Sequence, residues 1–240
     1  TTGASDGPHN KSHQRFYIML IATDRHRPST RFPKSVKQVN QSSTILKSGS
    51  ANDKIGGHVS KGRWRGMPII SLTLEERKTC YLSCEQWNDC YGNNMPFGHR
   101  IDHTDPTFLP TLDLELAMYN ARYPTGFLVR LHILGDFYSE EYAEFWRLAL
   151  IKYPALRIWG YTHVPTDSPI GLIVFSMNSK RCVIRASDRP DIANSANVFI
   201  DATGNKDFDI ACPEQTGDAL NCGACGLCWE SKKRIGFSKH

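Results

Sequence analysis

The chain has 240 residues, of which 40% are hydrophobic and 22% are charged, and its formal net charge is +5. These values are ordinary for a globular protein with one sizeable core. No apolar run approaches the roughly 20 residues that a membrane-spanning helix needs. We therefore exclude a membrane partner and predict a cytoplasmic protein.

The first 65 residues are polar and basic, with twelve Lys and Arg against three Asp, whereas the rest of the chain is net acidic. We predict a basic N-terminal arm over 1–65, with one strand at 16–22 (FYIMLIA). Lys and Arg gain affinity for nucleic acid by displacing counterions from phosphates, so nucleic acid is a candidate partner of this arm. The alternative is a solvated leader rich in Ser, Asn and Lys.

From residue 66 the pattern changes to alternating strands and helices. Strands are predicted at 68–74, 127–134, 156–161, 182–186 and 198–201, and helices at 107–123, 139–153 and 168–179. The connections of a dozen or more residues indicate parallel βαβ units. An α/β core over 66–208 follows, built as an open doubly wound sheet or a partial (β/α) barrel. We favour a partial barrel of about five or six parallel strands.

Ionisable residues follow or interrupt the predicted strands. Because functional groups collect at the carboxyl ends of parallel strands, these residues are the candidate catalytic groups. They are Arg130, His132, Asp136, Tyr161 and Arg185. Alternation predicts that Arg130 and His132 share one face of their strand, where they either bind an anion and move protons or form an ion-pair network. Arg185 interrupts an apolar strand, which indicates either a buried salt bridge or a ligand contact.

Three cysteines, Cys80, Cys84 and Cys90, occupy the loop after the first core strand in a C-x3-C-x5-C array. Three thiols in one loop can hold three irons of a cubane cluster and leave the fourth iron open. Thiolates are soft ligands, so an iron–sulfur cluster and zinc are the metals this array favours. Buried or redox-active thiols are the alternative.

Four further cysteines, Cys212, Cys222, Cys225 and Cys228, lie in a C-terminal segment over 209–240. The C-x2-C-x2-C run resembles the start of the bacterial ferredoxin pattern, and four thiolates also satisfy a tetrahedral zinc site. Disulfides are rare in the cytoplasm, so we predict a cysteine-rich metal-binding segment. Cys182, within an apolar strand, is interpreted as a core residue.

Several stretches between residues 50 and 240 resemble a phage and mobile-element family named for a mycobacteriophage gene 88 product. The resemblance implies a phage or mobile-element protein and carries no activity with it. The matching stretches are 52–57 (NDKIGG), 62–77 (GRWRGMPIISLTLEER), 80–95 with its three cysteines, 130–138 (RLHILGDFY), 159–162 (WGYT) and 212–229 with its four cysteines.

The chain is more distantly similar to radical S-adenosylmethionine enzymes, which have a cluster loop after the first strand of a partial barrel. By this analogy Cys80, Cys84 and Cys90 hold the reactive cluster, and Gly135 and Asp136 bind the amino group of S-adenosylmethionine. The chain departs from that pattern in two places. Five residues rather than two precede the third cysteine, and Gly-Asp replaces Gly-Gly-Glu.

Together these patterns predict an iron–sulfur protein with one or two [4Fe-4S] clusters. In this hypothesis the protein is a redox or radical-type enzyme that acts on nucleic acid or a nucleotide, with S-adenosylmethionine as a candidate cofactor. The second hypothesis is a non-catalytic nucleic-acid-binding protein whose cysteines hold structural iron–sulfur or zinc sites.

Overall fold

The computed structural model of the protein describes residues 28–199 and 208–239. The strand predicted at 16–22 lies outside these ranges, as do the last two residues of the strand predicted at 198–201. The elements are β1 Val36–Lys37, β2 Lys47–Ser48, β3 Ile69–Ser71, β4 Arg100–Ile101, α1 Phe108–Arg122, β5 Phe127–Leu131, α2 Glu140–Lys152, β6 Leu156–Thr162, α3 Pro169–Ser176, β7 Cys182–Ala186, β8 Ala196–Phe199, β9 Ile210–Ala211, α4 Cys222–Cys225, α5 Leu227–Glu230 and β10 Ile235–Ser238.

The main sheet has five strands in the order β2-β3-β5-β6-β7. Strands β3, β5, β6 and β7 pair in parallel, and β2 runs antiparallel along the edge at β3. Helix α1 precedes β5, while α2 and α3 form the crossovers from β5 to β6 and from β6 to β7. The predicted parallel βαβ units are confirmed, and the protein is a mixed α/β protein.

Two of the core helices begin at serines that cap them. The Ser139 hydroxyl accepts a hydrogen bond of 3.1 Å from the Tyr142 amide at the start of α2, and the Ser168 hydroxyl accepts one of 3.0 Å from the Gly171 amide at the start of α3. Each cap satisfies an amide that has no partner inside its own helix. These contacts fix where the chain leaves the sheet and turns into a helix.

The two faces of the main sheet carry different layers. On one face Leu116, Trp146 and Val174 from the three helices pack against the aliphatic residues of the strands. On the other face Leu128 and Trp159 pack against the C-terminal segment and against residues 55–64, which together form a second apolar cluster. A polar residue on this second face therefore points toward the cysteine-rich segment and away from the helices.

Smaller sheets flank the main one. Strand β10 lies between β8 and β9 in a parallel three-stranded sheet, and β1 pairs in parallel with β4. A single bridge between Ser187 and Ala196 joins the end of β7 to the start of β8. The strands in the described ranges close no barrel, so the parallel α/β class is confirmed while the partial barrel stays a prediction. None of the helices in these ranges has the length and apolar character that a bilayer crossing requires.

The described part of the basic segment, residues 28–65, packs into the core. Ile45 and Leu46 are buried with the helix-side cluster, and Trp64 is buried with the other cluster. The Glu115 carboxylate in α1 accepts both the Ile45 and the Leu46 amides, at 2.6 and 2.8 Å. The boundary expected after residue 65 is therefore not marked by a break in packing. Periodicity could not reveal these contacts, since the apolar residues are scattered among polar ones.

Candidate metal centres and the cavity between them

Cys80, Cys84 and Cys90, the first cysteine group, line one cavity of about 170 Å³ at the carboxyl ends of β3 and β5. All three are free thiols. Burial raises the pKa of the Cys80 and Cys90 thiols, so neither ionises readily without a nearby positive charge. Trp87 is buried against the same cavity. The structure therefore brings the three predicted ligands of the loop to one cavity.

The buried Arg77 side chain faces the same cavity and has unused hydrogen-bond donors. Its Nη2 donates to the Trp87 carbonyl at 3.0 Å and to Asn93 Oδ1 at 2.7 Å. Its Nε and Nη1 atoms are buried, with no hydrogen-bond partner among the described residues. A buried guanidinium with unpaired donors is costly unless an anion lies beside it. This orphaned positive charge is what a metal–thiolate centre would neutralise.

An ion pair fixes the loop that follows Cys90. Arg100 and Glu76 are fully buried and meet at 2.6 Å. Arg100 also donates to the carbonyls of Gly92, Met95 and Gly98. Because three carbonyls of that turn bond to one guanidinium, which pairs with Glu76 after β3, the loop carrying Cys90 returns to the end of β3.

Cys212, Cys222, Cys225 and Cys228, the second cysteine group, together line a second, smaller cavity. Cys212 follows β9, Cys222 and Cys225 are the ends of α4, and Cys228 lies in α5. The Asn221 side chain caps α4 by accepting the Ala224 amide at 2.8 Å. Burial raises the pKa of the Cys212, Cys222 and Cys228 thiols. These too are free thiols.

Main-chain hydrogen bonds join the second group to residues 54–60. The Cys222 amide donates to the Lys54 carbonyl at 2.8 Å, and the Gly223 amide donates to the Ile55 carbonyl at 3.0 Å. A Cβ atom at Gly223 would lie 2.2 Å from the His58 carbonyl oxygen, so glycine is required for this approach. The motif at 52–57 is therefore a backbone cradle for α4.

Arg185 holds the other side of the second group. It is completely buried, and it donates to the carbonyls of Cys228, Lys233 and Ser231 at 2.8, 2.8 and 2.6 Å. The salt bridge considered for Arg185 is not formed, because main-chain carbonyls of the C-terminal segment take its donors. Its charge therefore has no carboxylate to neutralise it among the described residues. Its neighbour across the β6–β7 pair, Tyr161, places its hydroxyl 2.8 Å from Cys228 Sγ.

A central cavity of about 260 Å³ separates the two groups. It is lined by Gln86 and Tyr91 from the first loop and by Cys222 and Cys228 from the second group. Arg130 lies in its floor, with the guanidinium carbon 5.2 Å from the Trp159 ring centre and 4.4 Å from that of Tyr161. Two predicted site residues, Arg130 and Tyr161, thus line one cavity.

A histidine–carboxylate pair borders the central cavity near the first group. His163 Nε2 lies 3.0 Å from Asp188 Oδ2 and 3.9 Å from Cys84 Sγ. Burial lowers the pKa of His163, but Asp188 and Cys84 outweigh burial and raise it to about 10. The imidazole is therefore positively charged at neutral pH.

Asp136 links the chain that follows β5 to the end of β6. Its carboxylate accepts the Thr162 hydroxyl at 2.6 Å and the amides of Phe137 and His163, both at 2.8 Å. Gly135 lines the cavity of the first group, whereas Asp136 belongs to the lining of neither that cavity nor the central one. Its predicted role with an amino group stays a prediction.

His132 lies on the opposite side from Arg130, so the shared face expected from alternation is wrong. Strand β5 ends at Leu131, and alternation does not extend to His132. Its Nε2 bonds the Tyr142 hydroxyl at 2.7 Å, in the helix-side core. Burial and the neighbouring Arg130 lower its pKa to about 3, so the imidazole is neutral. The structure supports a core role for His132.

Sequence patterns did not identify two residues of the site, which are Arg77 and Trp159. Arg77 stands three positions before Cys80, and a lone arginine beside a cysteine array was the available signal. Trp159 alternates with Tyr161 along β6, so the two share a face. Cys182, by contrast, is buried in the helix-side core as predicted.

The donor set fits a soft metal, although the thiols are not closed around one ion. Among residues 28–199 and 208–239, no three His, Cys, Asp or Glu side chains form a group that could hold a single metal ion. A tetrahedral zinc site with Zn–S bonds of about 2.3 Å holds its sulfur atoms only about 3.8 Å apart. A cluster of several irons has its thiolates farther apart. Metal binding by the seven cysteines stays a prediction.

The fold and these side chains define an α/β protein with two cysteine groups on opposite sides of a central cavity. The chain is 28% identical over 221 residues to the Gene 88 protein of Mycobacterium phage L5, covering 81% of this chain and 91% of that protein. It is 29% identical over 220 residues to the Gene 88 protein of Mycobacterium phage D29, with the same coverage. The predicted resemblance to mycobacteriophage gene 88 proteins is therefore confirmed. No family model and no solved structure matches the chain.

Proposed function

We propose that this chain is an iron–sulfur protein in which each cysteine group binds a cluster, with a substrate cavity between them. It would be a redox or radical-type enzyme that acts on nucleic acid or a nucleotide. The observation that carries the proposal is the cavity of the first group, which is lined by three free thiols and by a buried Arg77 with two unused donor atoms. An anionic metal–thiolate centre supplies what that cavity lacks.

Charge supports the same assignment at the second group. Arg185 is buried without a carboxylate in the described ranges, and its nearest ionisable neighbours are Cys228 and Tyr161. Thiolates that ligate a metal keep their negative charge even when buried, because the metal replaces the proton. Buried arginines beside both groups therefore favour thiolates over neutral thiols.

The number of thiols favours different roles for the two groups. Three thiols at the first group leave one iron of a cubane free for a substrate or cofactor, whereas four thiols complete the coordination of the second. A bound cluster would supply one-electron chemistry. The residues of this chain would bind the substrate at Arg130 and exclude water with Trp87 and Trp159. S-adenosylmethionine at Gly135 and Asp136 belongs to the radical form of the proposal.

Metal analysis of anaerobically purified protein tests the proposal. We expect a brown protein with stoichiometric iron and acid-labile sulfide. The Cys80/Cys84/Cys90 triple Ser variant should lose the iron and sulfide bound by the first group. The Cys212/Cys222/Cys225/Cys228 quadruple Ser variant should lose the iron and sulfide bound by the second group. Cys182→Ala is the matched control, since Cys182 lies in the helix-side core, and it should keep all the iron. A wild-type protein without iron would refute the proposal.

The radical form has a separate test. S-adenosylmethionine added to the reduced protein should perturb the cluster spectrum and be cleaved, and the Cys80/Cys84/Cys90 variant should do neither. If the iron-loaded wild type shows no perturbation and no cleavage, the radical form is rejected and a redox role is retained.

The second candidate is a non-catalytic nucleic-acid-binding protein with structural metal sites. The main-chain cradle around Cys222 and Gly223 favours it, since structural sites are closed and held by the fold. It predicts a colourless protein with stoichiometric zinc that binds nucleic acid with a steep dependence on salt. The metal analysis described above separates the two candidates.

A further inference from the structure

We infer that the central cavity binds a small molecule through a carboxylate or phosphate group held by Arg130. This inference rests on the proposed function and deepens it, because it names the class of substrate.

Arg130 is held in place but keeps donors for a ligand. Its Nη1 donates to the Leu131 carbonyl at 2.7 Å, and its guanidinium lies against the rings of Trp159 and Tyr161. No carboxylate and no thiol within the described ranges accepts a hydrogen bond from it. The flat fork of a guanidinium matches two oxygens of a carboxylate or phosphate. Contact with the two rings and the bond to the Leu131 carbonyl hold the guanidinium in place before a ligand arrives.

The other charges around the cavity are already paired. Asp188 pairs with His163 at 3.0 Å. Asp89 pairs with Lys239 at 2.8 Å. Lys54 pairs with Glu214 at 3.2 Å. Arg130 is therefore the cation in the described lining that has no carboxylate partner, and the ionisable groups that act on it are Tyr161 and the thiols of Cys222 and Cys228. An incoming oxyanion thus meets a guanidinium that no carboxylate occupies.

The size and the remaining lining indicate the rest of the ligand. A volume of about 260 Å³ lies just below the roughly 300–1,000 Å³ of typical ligand pockets, which suits a compact metabolite such as a single nucleotide. Ile55, Ile133, Val198 and Phe237 add apolar surface. Of the two proposed substrates, this favours a nucleotide-sized molecule over a nucleic-acid strand.

The position of Arg130 also orients the ligand. An oxyanion on Arg130 lies on the side of Cys222 and Cys228, whereas Ile133 borders both the central cavity and the cavity of the first group. The uncharged body of the ligand therefore extends toward Cys80, Cys84 and Cys90. The reactive part of the substrate would thus meet the group that has an open coordination position.

Calorimetric titration of the full chain, purified anaerobically, tests this inference. The probes are adenosine 5′-monophosphate, 3-phenylpropionate, adenosine and a single-stranded oligonucleotide. We expect one of the two anionic small molecules to bind and adenosine to bind at least tenfold more weakly. Binding of the phosphate but not the carboxylate, or the reverse, identifies the oxyanion.

Variants assign the binding to Arg130. Arg130→Gln should weaken the binding of the anionic probe at least tenfold. Arg130→Lys, which keeps the charge without the planar fork, should give an intermediate loss of affinity. Arg157→Gln is the control, because Arg157 donates to the carbonyls of Pro154 and Leu156 and lies outside the cavity lining. Circular dichroism of each variant verifies the fold, and Arg130→Lys serves if Arg130→Gln does not fold.

Three results would overturn the inference: no binding of either anionic small molecule, equal binding by Arg130→Gln, or binding of the oligonucleotide alone. Iron and sulfide are measured in every sample. An iron-loaded protein that binds no anion refutes this inference and leaves the cluster proposal standing. A protein without iron that binds the anion through Arg130 refutes the cluster proposal and leaves this inference standing.

Discussion

The two cysteine groups differ in how the fold holds them. In the first, the amides of Cys84, Trp87 and Asn93 bond to carbonyls only three residues earlier. In the second, the amides of Cys212 and Cys222 bond to strand β10 and to residue 54, which are distant in sequence. The main-chain hydrogen bonds at the first group are thus local, whereas those at the second group reach distant parts of the chain.

This difference indicates which group is more adaptable. A loop whose main-chain hydrogen bonds are local changes shape at a smaller cost than a helix held by distant backbone. Arg77, with its unused donors, lies beside the first loop. Arg185 uses its donors on carbonyls of the C-terminal segment, such as that of Cys228. We therefore expect loss of the contacts that hold the second group to lower stability, and loss of Arg77 at the first group to affect metal retention. The buried pair of Glu76 and Arg100, which anchors the first loop, is expected to affect stability as well.

The largest effect is expected from Arg185→Met. Methionine fills a similar volume but leaves the buried Cys228 carbonyl and the part-buried carbonyls of Ser231 and Lys233 without those donors. Each unsatisfied group costs about 1–3 kcal/mol, so the free energy of unfolding should fall by about 3 kcal/mol or more. Urea denaturation measures this. Arg189→Met, at the surface, should leave the midpoint where it is, and an equal loss in both variants would contradict the comparison.

Glu76→Gln should cost about 3 kcal/mol, because it leaves the buried Arg100 without its counter-charge. Burial alone would raise the pKa of Glu76, but Arg100 and Thr30 lower it below its ordinary value. The stabilisation is therefore present above the unfolded pKa of about 4.3 and is lost as pH falls through the folded pKa. Denaturation curves between neutral and acidic pH should show a smaller acid dependence in the variant.

The matched control for Glu76→Gln is Glu144→Gln. Glu144 forms an exposed pair with Arg147 one helical turn away, and such pairs contribute little. Its substitution should not change the denaturation curves. If both variants lose the same stability, the pair of Glu76 and Arg100 is not the anchor of the first loop.

Gly223→Ala should cost about 1–3 kcal/mol, since its Cβ would collide with the His58 carbonyl oxygen. The backbone cradle would open, and metal bound by the second group should be lost before metal bound by the first. Iron analysis alongside thermal unfolding measures which group loses its metal first. Gly98→Ala, whose Cβ would meet only ordinary contacts, is the control in the first loop. Retention of all iron in Gly223→Ala would show that metal binding by the second group does not depend on the cradle.

The smallest effect on stability is expected from Arg77→Met. Removing an unsatisfied buried guanidinium should leave the metal-free protein as stable as before or slightly more so. The iron-loaded variant should nevertheless lose the cluster of the first group faster when challenged with a chelator. Arg122→Met, on the outer part of α1, should lose iron at the wild-type rate. An unchanged rate in Arg77→Met would mean that Arg77 does not face a metal–thiolate centre.

Much of the core could be predicted because its signals are local. The helices after Ser139 and Ser168 and the strands between them follow from capping and from apolar runs. Strands β1 and β4 have two residues each and exist through pairing with each other, so no local pattern reveals them. The direction of His132 depended on where β5 ends. The partners of Arg185 are carbonyls, which sequence patterns do not display.

The position of β10 between β8 and β9 has a consequence for assembly. Neither outer strand can pair with the other, so this sheet forms only once β10 inserts between its two predecessors. The second cysteine group lies in the connection from β9 to β10, so metal bound there would join the ends of a long loop and lower the entropy lost in closing it. Cluster loading and insertion of β10 would then be one cooperative event, and metal-starved cells should accumulate a chain whose C-terminal region is open to proteases.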